Sequence, residues 1–388
     1  MNTLIKAPYI VTHSGEVIKN GSVVVKDGII DAYFKGIPEG KFHKIVNLKG
    51  YLYPPFVNAH THLELSNLSF SPDNFSSFFD WLIWIVGKRP LLTKEDIERA
   101  LKKAEGELFS FGIYYVGDIS SFGISPKFKF KHIKVTAFSE FIGRKFNPER
   151  LAFPLSAHSI YSVSFEALKK ISKESLERGF KFQMHLGETV EEKKFARCEE
   201  NLFEKRIYPL LGRKRYEWVC SKNIVDYIEK AGALNENLIA VHCTNLSESE
   251  LDRLMEAGAS IVLCPRSNLH LKVGFPKVEH LLGYDKLGLG TDGLSSNVNL
   301  SITDELRTLY YSLSGRVSVR ELFSLITVSG AKALGLDEYS KEPVFTFSPS
   351  DELKLDPFSH LLDSKSEFRI LRVSEKVLKF RKKVDTLK

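Results

Sequence analysis

Residues 53–63 read YPPFVNAHTHL, an apolar run that ends in two histidines one residue apart. In a β-strand alternate side chains share a face, so His60 and His62 aim their imidazoles at one point. Seven further runs of similar texture follow: GIYYVGDIS (112–120), IKVTAFSEF (133–141), LAFPLSAHS (151–159), FKFQMHLGE (180–188), LIAVHCT (238–244), SIVLCPRS (260–267) and KLGLGTDG (286–293). Between them lie segments of helical period, among them TKEDIERALKKAEGELFSFG, FEALKKISKESLERG, SESELDRLMEAG and VSVRELFSLITVSGAKALG, several opened by Ser or Thr and closed by Gly. Eight short apolar runs alternating with helices predict a closed (β/α)8 barrel, whose chemistry sits at the C-terminal rim of its strands.

Outside this alternation the texture differs. Residues 3–49 read as short strands, with Lys19-Asn20-Gly21 and Lys26-Asp27-Gly28 as turn signals, a small antiparallel module. After Leu336 the stretch from Glu342 to Phe380 again reads as short strands with turns. The predicted division is an accessory β-sandwich-like domain from residues 1–49 and 340–388 beside a barrel over 50–339.

The bulk numbers exclude several classes. With 388 residues, 43% hydrophobic and 27% charged, the chain can bury a large core and disorder is not the default. A net charge of +7 spread over 55 basic and 48 acidic residues gives no nucleic-acid footprint; the basic cluster Lys376 to Lys388 reads as a solvated helix or tail. Cys198, Cys220, Cys243 and Cys264 form no C-x-x-C pair, so neither a disulfide framework nor a thiolate zinc site is expected, and a reducing compartment fits. The opening MNTLIKAPYIVTHSGEV has no long apolar run behind a basic start, and no stretch reaches the length of a spanning helix. The expectation is a cytoplasmic protein with no membrane partner.

Chemistry concentrates on the predicted rim. His185 ends the fifth run, His242 lies in the sixth, and Asp292 lies in Gly288-Leu289-Gly290-Thr291-Asp292-Gly293 of the eighth. Imidazoles plus a carboxylate suit Zn2+ or Fe2+, whereas an all-oxygen set would suit Mg2+ or Ca2+. Glu188, three residues after His185, projects beyond the fifth strand as a candidate proton shuttle; its bland alternative is a solvated or helix-capping carboxylate.

The stretches NAHTHLELS, SAHSIYSVS, HLGETVEE, AVHC, CPRSN and GTDGLSSNVNLSITDELR together resemble the cytosine-deaminase-like branch of the amidohydrolase superfamily. The resemblance covers nearly the whole chain. It implies one divalent metal, Zn2+ or Fe2+, held by His60, His62, His185 and Asp292, with His242 holding the metal's water and Asp292 sharing in its deprotonation. It makes Glu188 the general acid/base and His158 a substrate contact. Because the fourth run ends LSAHS, no lysine is placed to bridge a second metal. The H-x-E and P-C-x-x-C signature of the unrelated zinc deaminases is absent.

For the substrate, HLELSNLSFSPDNFSSFFDWLIWIV is similar to aminofutalosine deaminases, which act in an alternative route to menaquinone. Methylthioadenosine, adenosylhomocysteine and adenosine deaminases compete with that reading; guanine and cytosine deaminases and chlorohydrolases stand further off. The resemblance implies a small-molecule substrate and allows a homodimer. Phe75 to Trp84, including Trp81, can stack on a purine or pack in the core. Arg144 is a candidate partner for a substrate carboxylate, against the commoner outcome of a surface arginine. Glu64 either faces the cavity or braces the loop after the histidine pair. Ser267 and Asn268 either orient substrate or hold their loop, with the second preferred.

Overall fold

The computed structural model describes residues 2–373, so the basic stretch Lys376 to Lys388 lies outside the described residues. Five strands open the chain: β1 (Asn2–Val11), β2 (Val17–Lys26), β3 (Ile29–Lys35), β4 (Lys44–Asn47) and β5 (Gly50–Tyr53). The barrel strands follow: β6 (Phe56–Thr61), β7 (Ile113–Ser120), β8 (Lys134–Phe141), β9 (Leu155–Ala157), β10 (Phe182–Leu186), β11 (Leu238–His242), β12 (Ser260–Leu263) and β13 (Leu287–Leu289). Each falls within one of the eight apolar runs, and each pairs in parallel with its sequence neighbour. Every residue of β6, β7, β10, β11, β12 and β13 is buried, which is why these strands read as continuous apolar runs without alternation.

The barrel closes between β6 and the residues just after β13. Thr61 bridges Asp292 in parallel, His62 N–H donates to the Asp292 carbonyl at 2.8 Å, and Asp292 N–H donates to the His60 carbonyl at 3.1 Å. Asn58 adds a side-chain clasp: its Nδ2 donates to Thr291 Oγ1 at 2.7 Å and its Oδ1 accepts from Thr291 N–H at 3.1 Å. Gly290 makes the approach possible, since a Cβ there would meet His60 Cβ and carbonyl oxygen at 2.7 Å.

The helices between strands form for the reasons their sequences suggest. Helix α1 (Phe78–Lys88) buries Phe78, Phe79, Leu82 and Ile85. In α2 (Lys94–Ser110) Thr93 and Asp96 form a reciprocal capping box. In α3 (Phe165–Arg178) Ser164 caps the start, and Gly179 ends the helix at φ 68°, a conformation glycine adopts without Cβ crowding. The segment 317–335 is not one helix. It divides into Val319–Phe323, a short 3-10 turn and Val328–Leu334, broken at Thr327, where φ −135° and ψ −112° take the backbone out of the helical region.

The smaller sheet runs β15–β14–β5–β1–β2–β3, with β4 also on β1, where β14 is Val344–Pro349 and β15 is Arg369–Arg372. Both chain ends therefore build it, but it is mixed and not purely antiparallel: β1 lies parallel to β4 and β5. Of the two expected turns, Asp27-Gly28 joins β2 to β3, both at positive φ. Lys19-Asn20-Gly21 instead lies inside β2, where Asn20 takes φ 49° in mid-strand. The run read as strand near Phe358 is a short helix, Pro357–Leu362, capped by Asp356.

One expectation from the cysteines is overturned. Cys198 and Cys220 form a disulfide, with Cα atoms 5.3 Å apart, while Cys243 and Cys264 are free and buried. The 22-residue separation concealed the contact because the intervening chain loops back on itself, and the cysteine pattern no longer argues for a reducing compartment. No helix among the described residues is long and apolar enough to cross a membrane.

Thr346 ties the smaller sheet to the barrel. Its buried hydroxyl donates to the Gly112 carbonyl at 2.7 Å, just before β7, and accepts from Phe56 N–H at 3.1 Å, the first residue of β6. Thr346→Val keeps the shape and strands both backbone groups, so unfolding in urea should show a loss of about 1–3 kcal/mol with an unchanged m-value.

Candidate active site

Five side chains from the ends of four barrel strands meet at the rim. His60 and His62 come from β6 and its end, His185 from β10, His242 from β11 and Asp292 from the loop after β13. Donor atoms of His60, His185, His242 and Asp292 all lie within 4.8 Å of one another. His62 joins this group: its Nε2 is 3.2 Å from His185 Nε2 and 3.3 Å from Asp292 Oδ1, while His60 Nε2 is 3.5 Å from the same oxygen.

The surroundings fix which atoms face inward. His60 Nδ1 is 2.7 Å from Gln183 Oε1, His185 Nδ1 is 2.9 Å from the His158 carbonyl, and His242 Nδ1 is 2.8 Å from Asn268 Oδ1. An oxygen acceptor at each Nδ1 sets the proton there and leaves the Nε2 lone pair free. Asp292 is treated alike. Its Oδ2 accepts from Ser267 at 2.7 Å and from Ser296 at 2.6 Å, which presents Oδ1 to the histidines.

The cluster fits a divalent cation. His60 Nε2 is buried without a hydrogen-bond partner, and converging imidazole lone pairs beside a carboxylate are a zinc-type or iron-type donor set. Burial pushes His62 down to about 3, His242 down to about 4 and His185 well below the ordinary range, so all three are neutral, as ligation requires. Burial pushes Asp292 up, yet its carboxyl lies well below the usual range, and the Ser267 and Ser296 hydroxyls that donate to Oδ2 favour the ionised form. His242 and Asp292 take φ of 73° and 58°, left-handed backbone that non-glycine residues adopt at a cost and that gathers at functional sites.

Glu188 lies beside this group, its Oε1 3.7 Å from His242 Nε2. Burial raises its carboxyl well above the ordinary value, with Asp292 and Glu192 adding to the shift, which favours its protonated form. Glu192 shapes the turn that presents it, accepting from the backbone N–H groups of Gly187, Glu188 and Thr189. At the start of α4 (Val190–Ala196), Glu192 is also the third-residue partner of a capping box with Thr189.

A cavity of about 110 Å3, open to solvent, spreads outward from the cluster. Its floor holds His62, His158, His185, Glu188, His242 and Asp292, and apolar walls come from α1 and the segment 207–211. Trp81 lines it, with its indole N–H donated to the Ser295 carbonyl at 2.7 Å. His158 lines it too, its Nδ1 2.7 Å from Ser162 Oγ. The aromatic stretch thus serves both roles: Phe78 and Phe79 are core, Trp81 is wall.

Two expected substrate contacts lie elsewhere. Glu64 is fully engaged as a loop brace, accepting from Ser120 Oγ and from the N–H groups of Phe122, Ile124 and Ser125. Arg144 is exposed and does not line the cavity, because the chain turns outward at Gly143 after β8. The cavity arginines are instead Arg89, at the end of α1, and Arg213. Ser267 and Asn268 do more than hold a loop, since they orient Asp292 and His242. Gln183, Ser296 and Glu192 escaped sequence reasoning; Gln183 alone left a trace there, two residues before His185 on the same strand face.

Residues 51–340 match the model of the amidohydrolase family. The 5-methylthioadenosine/S-adenosylhomocysteine deaminase of Pyrococcus abyssi is 30% identical over 322 residues, 74% of this chain and 70% of that protein. Among solved structures, aminofutalosine deaminase of Helicobacter pylori superposes with a TM-score of 0.78 at 23% identity, covering 96% of this chain and 98% of that one. An adenosine deaminase from Xanthomonas campestris with bound zinc gives a TM-score of 0.72 at 21% identity, covering 93% and 88%. At those identities the two structures speak for the fold.

Gln183→Leu removes the acceptor behind His60 without touching a ligand atom. Competition against a chelator should show metal affinity falling about 10- to 100-fold while the fold, followed by circular dichroism, persists.

Proposed function

The chain belongs to the amidohydrolase family, and from that premise we propose a metal-dependent hydrolytic deaminase of adenine-type nucleosides, with aminofutalosine, on a route to menaquinone, as its substrate. The observation that carries the reading is a buried Glu188 beside a divalent-cation donor set at the floor of a largely apolar cavity. His60, His62, His185 and Asp292 are assigned as ligands. His242 is assigned to hold the nucleophile, because its Nε2 lies toward Glu188 while His62 sits closest to His185 and Asp292. We take the ion to be zinc, with iron(II) as the alternative, and place the reaction in the cytoplasm.

When bound, the ion supplies a water whose pKa is lowered toward about 7, hence a nucleophile near neutral pH. The remaining work falls to this chain. Glu188 donates its proton to a nitrogen of the adenine ring, so negative charge does not accumulate there as a C–O bond forms at the amine-bearing carbon. Asp292, ionised and held by Ser267 and Ser296, takes the proton that the nucleophile gives up. Asp292 passes that proton to the amine, which leaves as ammonia as the C–N bond breaks, and the hydroxyl proton released as the C=O bond forms returns to Glu188. Asn268 keeps His242 as an Nε2 acceptor throughout, and Trp81 and Tyr161 offer apolar faces to the ring and its substituent.

A second reading, 5-methylthioadenosine or S-adenosylhomocysteine as substrate, is favoured by the name of the Pyrococcus abyssi relative. Ammonia release across aminofutalosine, 5-methylthioadenosine, S-adenosylhomocysteine, adenosine, guanine and cytosine separates the two: the highest kcat/KM should fall on aminofutalosine, and a higher value on either thioether nucleoside transfers the assignment. Glu188→Gln should lower kcat about 10²- to 10⁴-fold with metal content, read by elemental analysis, unchanged. Full turnover in that variant, or in chelator-stripped protein, would remove the mechanism.

A further inference from the structure

The segment between Cys198 and Cys220 supplies Ile207, Tyr208, Leu211 and Arg213 to the cavity. It is anchored there by aromatic packing. Phe203 stacks on Tyr161 with ring centroids 3.7 Å apart and meets Phe79 of α1 at 5.1 Å, and Tyr208 donates its hydroxyl hydrogen to the Tyr161 carbonyl.

Of its cations other than Arg213, Lys214 is exposed to solvent, away from the cavity lining, and the remaining three are neutralised. Lys205 pairs with Glu200, Arg206 with Asp80 at 3.0 Å, and Arg215 with Glu204 at 3.0 Å. Across the cavity, Arg89 is engaged by the buried Glu140 at 2.7 Å, which ties the end of α1 to β8. Arg213 differs. It is half-buried and lines the cavity, and its guanidinium has neither carboxylate nor hydrogen-bond partner among the described residues. The acidic groups lining the cavity, Glu188 and Asp292, belong to the barrel rim, where they face His242 and the other histidines and not Arg213.

We propose that Arg213 is a specificity-determining residue that binds a carboxylate on the substituent of the nucleoside remote from the amine. The inference rests on the reading of the site as a nucleoside deaminase and narrows it. An unpaired guanidinium beside apolar walls leaves its donors unused unless a ligand brings a planar anion, which it accepts in a bidentate fork. A substituent that is apolar along its length and anionic at its tip matches Ile207, Tyr208 and Leu211 leading to Arg213. A short neutral substituent leaves the guanidinium to water.

The test is a matched pair differing only in charge, 5′-deoxy-5′-(3-carboxyphenylthio)adenosine and its methyl ester. Dissociation constants come from calorimetry and KM from ammonia release. The unaltered protein should bind the acid roughly 10- to 100-fold tighter than the ester. Arg213→Met should bring that ratio close to one, Arg213→Lys should keep part of it, and Arg144→Met should leave it in place. Ester binding by each variant reports that the cavity is still formed. A ratio near one in the unaltered protein, or one that survives Arg213→Met, overturns the assignment. If neither compound is deaminated while the binding ratio behaves as stated, the carboxylate site stands and the deaminase reading is what fails.

Discussion

The backbone seam between His60, His62 and Asp292 is the constraint on which the rest of this molecule depends. Two N–H to carbonyl bonds close the barrel there, and the residues that make them carry three of the proposed metal ligands. Closing the sheet and assembling the cation site are therefore one event: a register slip of one residue at the seam would turn both histidines to the wrong face. Gly290 and the Asn58 clasp serve this closure directly, one by leaving room for β6 and the other by locking Thr291 against it.

Around the seam, the protein spends stability on atoms that have no structural purpose of their own. A buried imidazole with an unpartnered Nε2 in His60, a carboxylate in the interior and two non-glycine residues in left-handed backbone would each destabilise an ordinary core. A ring of polar partners holds them in place: Gln183 behind His60, Asn268 behind His242, and Ser267 and Ser296 behind Asp292. The Glu188 turn follows the same logic, with Glu192 gathering three backbone N–H groups so that the neighbouring carboxyl is free to face the cavity.

What could be read from the sequence follows from the range of the physics involved. His60 and His62 were legible because strand periodicity is local, and His185, His242 and Asp292 because each sits at the end of an apolar run long enough to stand out. Glu64, Arg144 and Arg213 were not legible in their roles, since these depend on the path of irregular loops. Glu64 sits two residues past His62 and looked like a site residue, yet the loop after β7 folds back over it and occupies both carboxylate oxygens. Lys19-Asn20-Gly21 misled for a related reason: the tripeptide permits a turn, but pairing of β2 with β1 on both sides of it keeps the strand going. The Cys198–Cys220 link was invisible because residue spacing does not report a chain that returns upon itself.

That cystine has an evolutionary corollary. Its two ends are pinned 5.3 Å apart, so the chain between them, outside the buried anchors Phe203, Ile207 and Tyr208, behaves as a cassette whose length is only weakly coupled to the sheet beneath. Closure entropy grows slowly with loop length, and lengthening or rewriting such a cassette costs little so long as its staples hold. Selectivity can thus drift between descendants of this chain through insertions in the cassette, while the catalytic floor, fixed by backbone register, stays as it is.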